Sequence, residues 1–141
     1  MRQVIRTAFA AVLLAMSGHP IAAIAAEAAA ECEQAVNRLA GTSKSEAARI
    51  AITFTGTQKA LGLLDSAGSK SDVDATLFPV DEGKFVLFLQ LRRSVLDSPE
   101  LGTMVKSMCA LGSVVGSRFN GAMLFIGKDM IDAAFAKLPG Y

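Results

Sequence analysis

From Glu27 onward the chain alternates between two hydrophobic periods. Cys32, Val36 and Leu39 fall at i, i+4 and i+7 with Ala29 and Ala35 beside them, and Gly41 follows as a stop, so the spacing predicts a first helix over Glu27 to Ala40. Ile50, Ile52 and Phe54 then alternate with Ala51, Thr53 and Thr55. That period of two, rich in β-branched residues, outweighs the capping box offered by Ser43 and Glu46 and predicts a strand. After Gly56 the spacing of Ala60, Leu61 and Leu64 is again helical, with Gly68 as its stop and a polar connection as far as Asp74.

Two strands are expected next. Ala75 to Val80 and Lys84 to Arg92 flank Asp81-Glu82-Gly83, where Gly83 suits a positive-φ turn position, so the segment reads as a hairpin. Phe85, Leu87, Leu89 and Leu91 share one face of the second strand while Val86 and Phe88 lie on the other, which is the pattern of a central strand. Pro79 lacks an N–H and fits an edge strand or a bulge. Ser98-Pro99-Glu100 has the residues of a helix start, and Leu101, Met104, Val105, Met108, Leu111, Gly112 and Val115 recur at three and four, with Cys109 on the flank of the stripe. Gly112 and Gly116 suit a packed helix face and a C-terminal cap. Ala122 to Ile126 reads as a fourth strand ended by Gly127. Asp129 then caps a last helix with Ile131, Ala134, Phe135 and Leu138 inward and Pro139-Gly140 as its stop. The order βαββαβ predicts an α+β protein, a ferredoxin-like split βαβ sandwich with extra N- and C-terminal helices.

The first 25 residues follow a different rule. Arg2 and Arg6 bracket a cationic start, Phe9 to Met16 is apolar throughout, and Gly18 and Pro20 precede the small residues of Ile21 to Ala26. This is the three-part pattern of a secretory signal peptide, with Ala23-Ile24-Ala25 as an A-x-A cleavage site. The apolar run is far short of the roughly 20 residues that span a bilayer. Two parts are therefore expected: a signal peptide, residues 1–25, and a single compact α+β domain, residues 26–141. The mature protein is expected in a periplasm or secreted, without an integral membrane segment.

Charge and composition remove more chemistry than any motif adds. Fourteen basic and thirteen acidic residues give a formal net charge of +1, which supplies no footprint for nucleic acid. His19 is the single histidine and would leave with the signal. The mature chain then has no Ser-His-Asp or Cys-His pair, no His base and no His-bearing zinc site. Asp72-x-Asp74 begins like a calcium loop, but Leu77 stands where glycine is required and Gly83 where the terminal Glu belongs. Gly121 and Gly127-Lys128 miss phosphate-loop spacing, with Asp129 in place of the Ser or Thr. The carboxylate pairs Asp81/Glu82 and Asp97/Glu100, and Lys106 beside Ser107, read as solvated surface. No catalytic, cofactor-binding or metal-ligating residue is singled out.

Cys32 and Cys109 are the two cysteines of the chain, 77 positions apart. That separation is not a CxxC redox pair, and export would place both thiols where bridges persist, so a Cys32–Cys109 disulfide between the first and third helices is expected. Few catalytic residue types combined with many apolar residues favour a non-catalytic binding or adaptor domain, not an enzyme, acting on a protein partner through a sheet face or edge. The protein partner is unknown, and a homo-oligomer stays open. A carrier of a small apolar ligand is the alternative, motivated by Phe85, Phe88, Phe119 and Phe125 and requiring a cavity of a few hundred Å³. Less favoured is an enzyme relying on carboxylate, Lys or Ser.

Overall fold

The computed structural model describes residues 19–70 and 73–137. It is a mixed α+β structure with a five-stranded antiparallel sheet and, among the described residues, four helices. In chain order these are α1 (His19–Ala40), β1 (Ala48–Gly56), α2 (Gln58–Lys70), β2 (Asp74–Asp81), β3 (Lys84–Leu91), α3 (Arg93–Leu96), α4 (Leu101–Val114), β4 (Arg118–Ile126) and β5 (Asp129–Phe135). The strands lie in the order β2-β3-β1-β4-β5, every neighbouring pair antiparallel. β1, predicted from the alternation at Ile50 to Thr55, is the central strand. Pro79 sits on the edge strand β2, opposite Phe85 and beside a register shift that leaves Val80 as the extra residue.

One sheet face is covered by the helices. α1 packs over β4 and β5, α2 over β2 and β3, and α4 against both helices and β4. The register puts Ile50, Ile52 and Phe54 beside Leu91, Leu89 and Leu87 on one side. On the other side they meet Leu124, Ala122 and Phe119. All nine are buried beneath the helices, and the rings of Phe54 and Phe119 meet edge to face at 6.0 Å between centroids. Gly112 of α4 comes so close to Phe54 that a Cβ there would lie 2.7 Å from the ring. Glycine at this point lets the helix approach the sheet. α4 ends in a Schellman motif, with the N–H of Gly116 (φ 85°) donating to Ser113 O at 3.2 Å and that of Ser117 to Gly112 O at 3.0 Å.

The disulfide joins Cys32 of α1 to Cys109 of α4, with 5.7 Å between Cα atoms and both side chains buried. It staples two helices that already share an apolar interface, closing a loop across most of the domain.

Three expectations need correction. The last helix does not form: Asp129–Phe135 is the edge strand β5, paired with β4 through a turn at Gly127 (φ 64°) and Lys128. The helical spacing of Ile131, Ala134 and Phe135 arises because a register shift between Leu124 and Phe125 inserts Ile131 as an extra residue. Asp132, on the helix-covered face at this edge, accepts a 2.9 Å hydrogen bond from Arg38 of α1. That bond and the N–H of Ala133 hold the Asp132 carboxyl below its ordinary pKa, against a small opposing effect of burial. Leu138, Pro139 and Gly140 lie outside the described residues.

α1 begins at His19, not Glu27, and accommodates Pro20 in its first turn, where a missing N–H costs no helical hydrogen bond. Of the signal reading over residues 1–25, residues 1–18 lie outside the described residues, and residues 19–25 belong to the first turns of α1. α4 starts two residues later than its sequence suggests. Ser98 Oγ accepts the Glu100 N–H at 3.1 Å and shapes the preceding turn, leaving Leu101 as the first helical residue. No sequence signal marked α3, one turn in which Arg93 donates to Asp97 at 2.8 Å and to Ser43 O at 3.0 Å, tying the connection before β1 to the end of β3.

Candidate functional site

Among the described residues, no helix covers the opposite face of the sheet. Side chains alternate across a strand, so β3 presents Val86, Phe88 and Gln90 there, and β1 presents Arg49, Ala51, Thr53 and Thr55. β4 adds Met123 and Phe125, and the edge strands add Phe78 and, from β5, Met130, Ala133 and Phe135. Phe78, Met130 and Phe135 are 47%, 54% and 67% exposed, far more than isolated surface packing requires. β3 is therefore apolar on both sides because its outer face belongs to an uncovered apolar field; the central-strand reading explains only the inner one.

The outward aromatic residues are held in place. Phe78 and Phe88 meet edge to face across β2 and β3, with centroids 5.5 Å apart. The Arg49 guanidinium lies 5.0 Å from the Phe125 ring centroid and hydrogen-bonds Gln90 and Gly127 O. Gly121 leaves room for Phe135, whose ring carbon would lie 2.9 Å from a Cβ at that position, and Thr53 donates to Gly121 O at 3.1 Å. The result is a broad apolar surface in which Phe78, Phe88 and Phe125 pack against neighbouring side chains.

Basic groups border this field. Arg49 lies within it, Lys84 and Arg118 begin β3 and β4 at one end, and Arg92 follows β3 at the other, paired with Asp74 at 3.1 Å. Beside Lys84 and Arg118 is an open depression of about 390 Å³, lined also by Thr55, Thr57, Asn120 and the turn glycines. Asn120 is the extra residue where β4 shifts register against β1, and its side-chain amide donates to Thr55 Oγ1. A second, smaller depression of about 230 Å³ lies between Glu27, Glu31 and Gln34 of α1 and Lys137.

The other residues weighed from sequence are scattered. Asp97 is bound to Arg93, Asp81 Oδ1 accepts the Glu82 N–H at 2.8 Å, and Asp74 pairs with Arg92. Lys106 and Ser107 are exposed on α4, while Met108 is buried in the core and Met104 packs against it. Among the described residues no group of three His, Cys, Asp or Glu side chains is placed to hold a metal ion. Among them, too, no helix is long and apolar enough to cross a membrane. The open face was missed in sequence because its members come from five strands. The alternation of Met123 and Phe125 against Ala122 and Leu124 was its available signal. Comparison with models of known protein families, with curated proteins and with solved structures finds no match.

Proposed function

We propose that the protein is an exported, non-catalytic interaction domain that docks another protein on the open face of its sheet. The observation that carries this reading is the uncovered aromatic field of Phe78, Phe88, Phe125 and Phe135. Five strands at about 4.8 Å spacing and seven to nine residues at about 3.3 Å each give a face of roughly 600 Å². That approaches the roughly 800 Å² per partner of an ordinary protein interface and is broader than a small molecule covers. Aromatic rings are also the side chains that dominate binding energy when desolvated. The carrier alternative has less support, because the inward side chains of β1, β3 and β4 pack directly beneath the helices.

Charge narrows the partner. Arg49, Lys84, Arg92 and Arg118 border the field against the outward carboxylates of Asp74 and Asp81, an excess of basic groups, so two copies stacked face to face would oppose like charges. The complementary partner is a protein with an apolar patch bordered by acidic side chains. Export rests on the Arg2 to Ala26 pattern, which supports residues 1–25 as a signal peptide, and the disulfide is compatible with an oxidising compartment. The strand order of β1 to β4, with a helix after β1 and another before β4, supports a split βαβ reading of the domain with β5 added at the edge.

Photo-crosslinkers placed at Phe78 and Met130 test the reading in the exported protein. The expected result is one defined cross-linked protein, lost when Phe88→Asp is introduced in a chain that keeps its melting temperature. Cross-linking to no protein, or cross-links unchanged by Phe88→Asp, would overturn it. A product of twice the chain mass would replace the acidic partner with a second copy.

A further inference from the structure

We propose that Glu31 and Arg38 of α1 close the free edge of β5 and keep it from pairing with the β5 edge of a second copy. This goes beyond the docking reading, which concerns the open face. The Ala136 N–H donates to Asn120 O at 2.8 Å, and bonded and unbonded pairs alternate along an antiparallel ladder. In the register that sets Ala134 against Ala122 and Phe135 against Gly121, Ala134 and Ala136 therefore face β4. Ala133, Phe135 and Lys137 turn their N–H and C=O groups outward.

α1 takes two of those three positions. Arg38 donates through Nη2 to Ala133 O at 3.0 Å and through Nη1 to Asp132 Oδ2 at 2.9 Å, and Asp132 Oδ1 accepts the Ala133 N–H at 2.8 Å. One ion pair thus satisfies both outward groups of Ala133. Glu31 accepts the Lys137 N–H. Glu31 and Arg38 are two turns apart on one helix face, about 10 Å, and Ala133 to Lys137 is about 13 Å of extended chain, so one flank of α1 spans the edge. Phe135 stands between the two contacts.

The edge needs such cover. An unpaired strand is a template for another, Asp129–Phe135 contains no proline, and Met130, Ile131 and Phe135 are all more than half exposed. The opposite edge, β2, is interrupted by Pro79 and the extra Val80 instead. The register shift at Ile131 ends the regular part of the β5 edge, so Ala133, Phe135 and Lys137 are what a pairing strand would meet. A second copy is the occupant that fits. A twofold axis at Phe135 sets the two Phe135 residues opposite each other and each Ala133 opposite a Lys137, with a bonded pair at every outward position.

Sedimentation equilibrium and amide hydrogen exchange of the full chain test this together. Glu31→Ala with Arg38→Ala, at helix positions that alanine favours, is expected to double in mass with a dissociation constant of order 100 µM. Its Phe135 amide should exchange about fivefold more slowly once most of the chain is paired, whereas in the unmodified chain the same amide exchanges freely. Arg38→Ala alone keeps the Glu31 contact; it should slow that amide less, and it carries the test if the double variant does not fold. A single chain mass in both variants overturns the proposal. So does a doubled mass with Phe135 exchange unchanged, which places the association elsewhere, or an unmodified chain that is already doubled with its Phe135 amide protected.

Discussion

At the scale of single residues, two glycines in helices have opposite meanings. Gly112 lies where a Cβ would meet Phe54 at 2.7 Å, whereas Gly62, inside α2, has nothing within 4 Å of that position. Gly112→Ala is expected to destabilise by about 1–3 kcal/mol through overpacking of the core. Gly62→Ala should stabilise by about 0.5–1 kcal/mol through backbone entropy. Urea unfolding of both variants checks the pair, and equal signs would show that α4 does not approach the sheet this closely. Asp132 provides a pH-dependent counterpart. Its carboxyl pKa is lowered in the folded chain by Arg38 and the Ala133 N–H, so the stability it contributes is present above the ordinary aspartate value and lost as pH falls through the folded one. Thermal melts at falling pH should therefore show a shallower acid decline for Asp132→Asn than for the unmodified chain.

At the scale of elements, the disulfide and the last strand decide how α1 is held. In the chain-entropy account, closing a loop of 77 positions contributes about 4.5 kcal/mol, less any native strain. The Cys32→Ala/Cys109→Ala protein should lose about 2–5 kcal/mol, read from chemical denaturation. A loss under about 0.5 kcal/mol would mean that the packing of α1 on α4 leaves nothing for the bridge to add. β5 depends on partners more than on its own sequence. Its inward residues are Asp132 and Ala134, neither a strong strand former, and Arg38 satisfies the first of them from another element. Hydrogen exchange should show protected amides in Asp129–Phe135 in alternation, as an edge strand gives, with the helical pattern of continuous protection absent.

At the scale of the whole molecule, the sheet has one face buried under helices and one apolar face that no described helix covers. Phe78→Asp with Met130→Asp changes residues 47% and 54% exposed, so the core is untouched and the melting temperature should move by no more than the 4–8 °C that about 1 kcal/mol produces. Retention on a hydrophobic column should fall clearly in the same protein. Unchanged retention would mean that the face is not presented to solvent as a continuous surface.

The alternation at Ile50 to Thr55 and Phe85 to Leu91, the stripe from Leu101 to Val115 and the pair Cys32 and Cys109 determined by themselves three central elements and the one bridge. Each is a local periodicity, or a pairing with one connectivity, and needs no distant information. β5 was legible only as a hint, in the two-residue turn Gly127-Lys128 after a strand, because its bulge at Ile131 and the inward Asp132 break the period of two. Only the tertiary structure decided that α1 reaches Asp132, that Gly112 admits Phe54, and that residues of five strands form one uncovered face. The same holds for Lys84 and Arg118, 34 positions apart in sequence, which line one depression because β3 and β4 both pair with β1. Hydrophobic period specifies which side of an element is buried, but pairing order specifies which elements share a side, and that order depends on contacts between residues far apart in the chain.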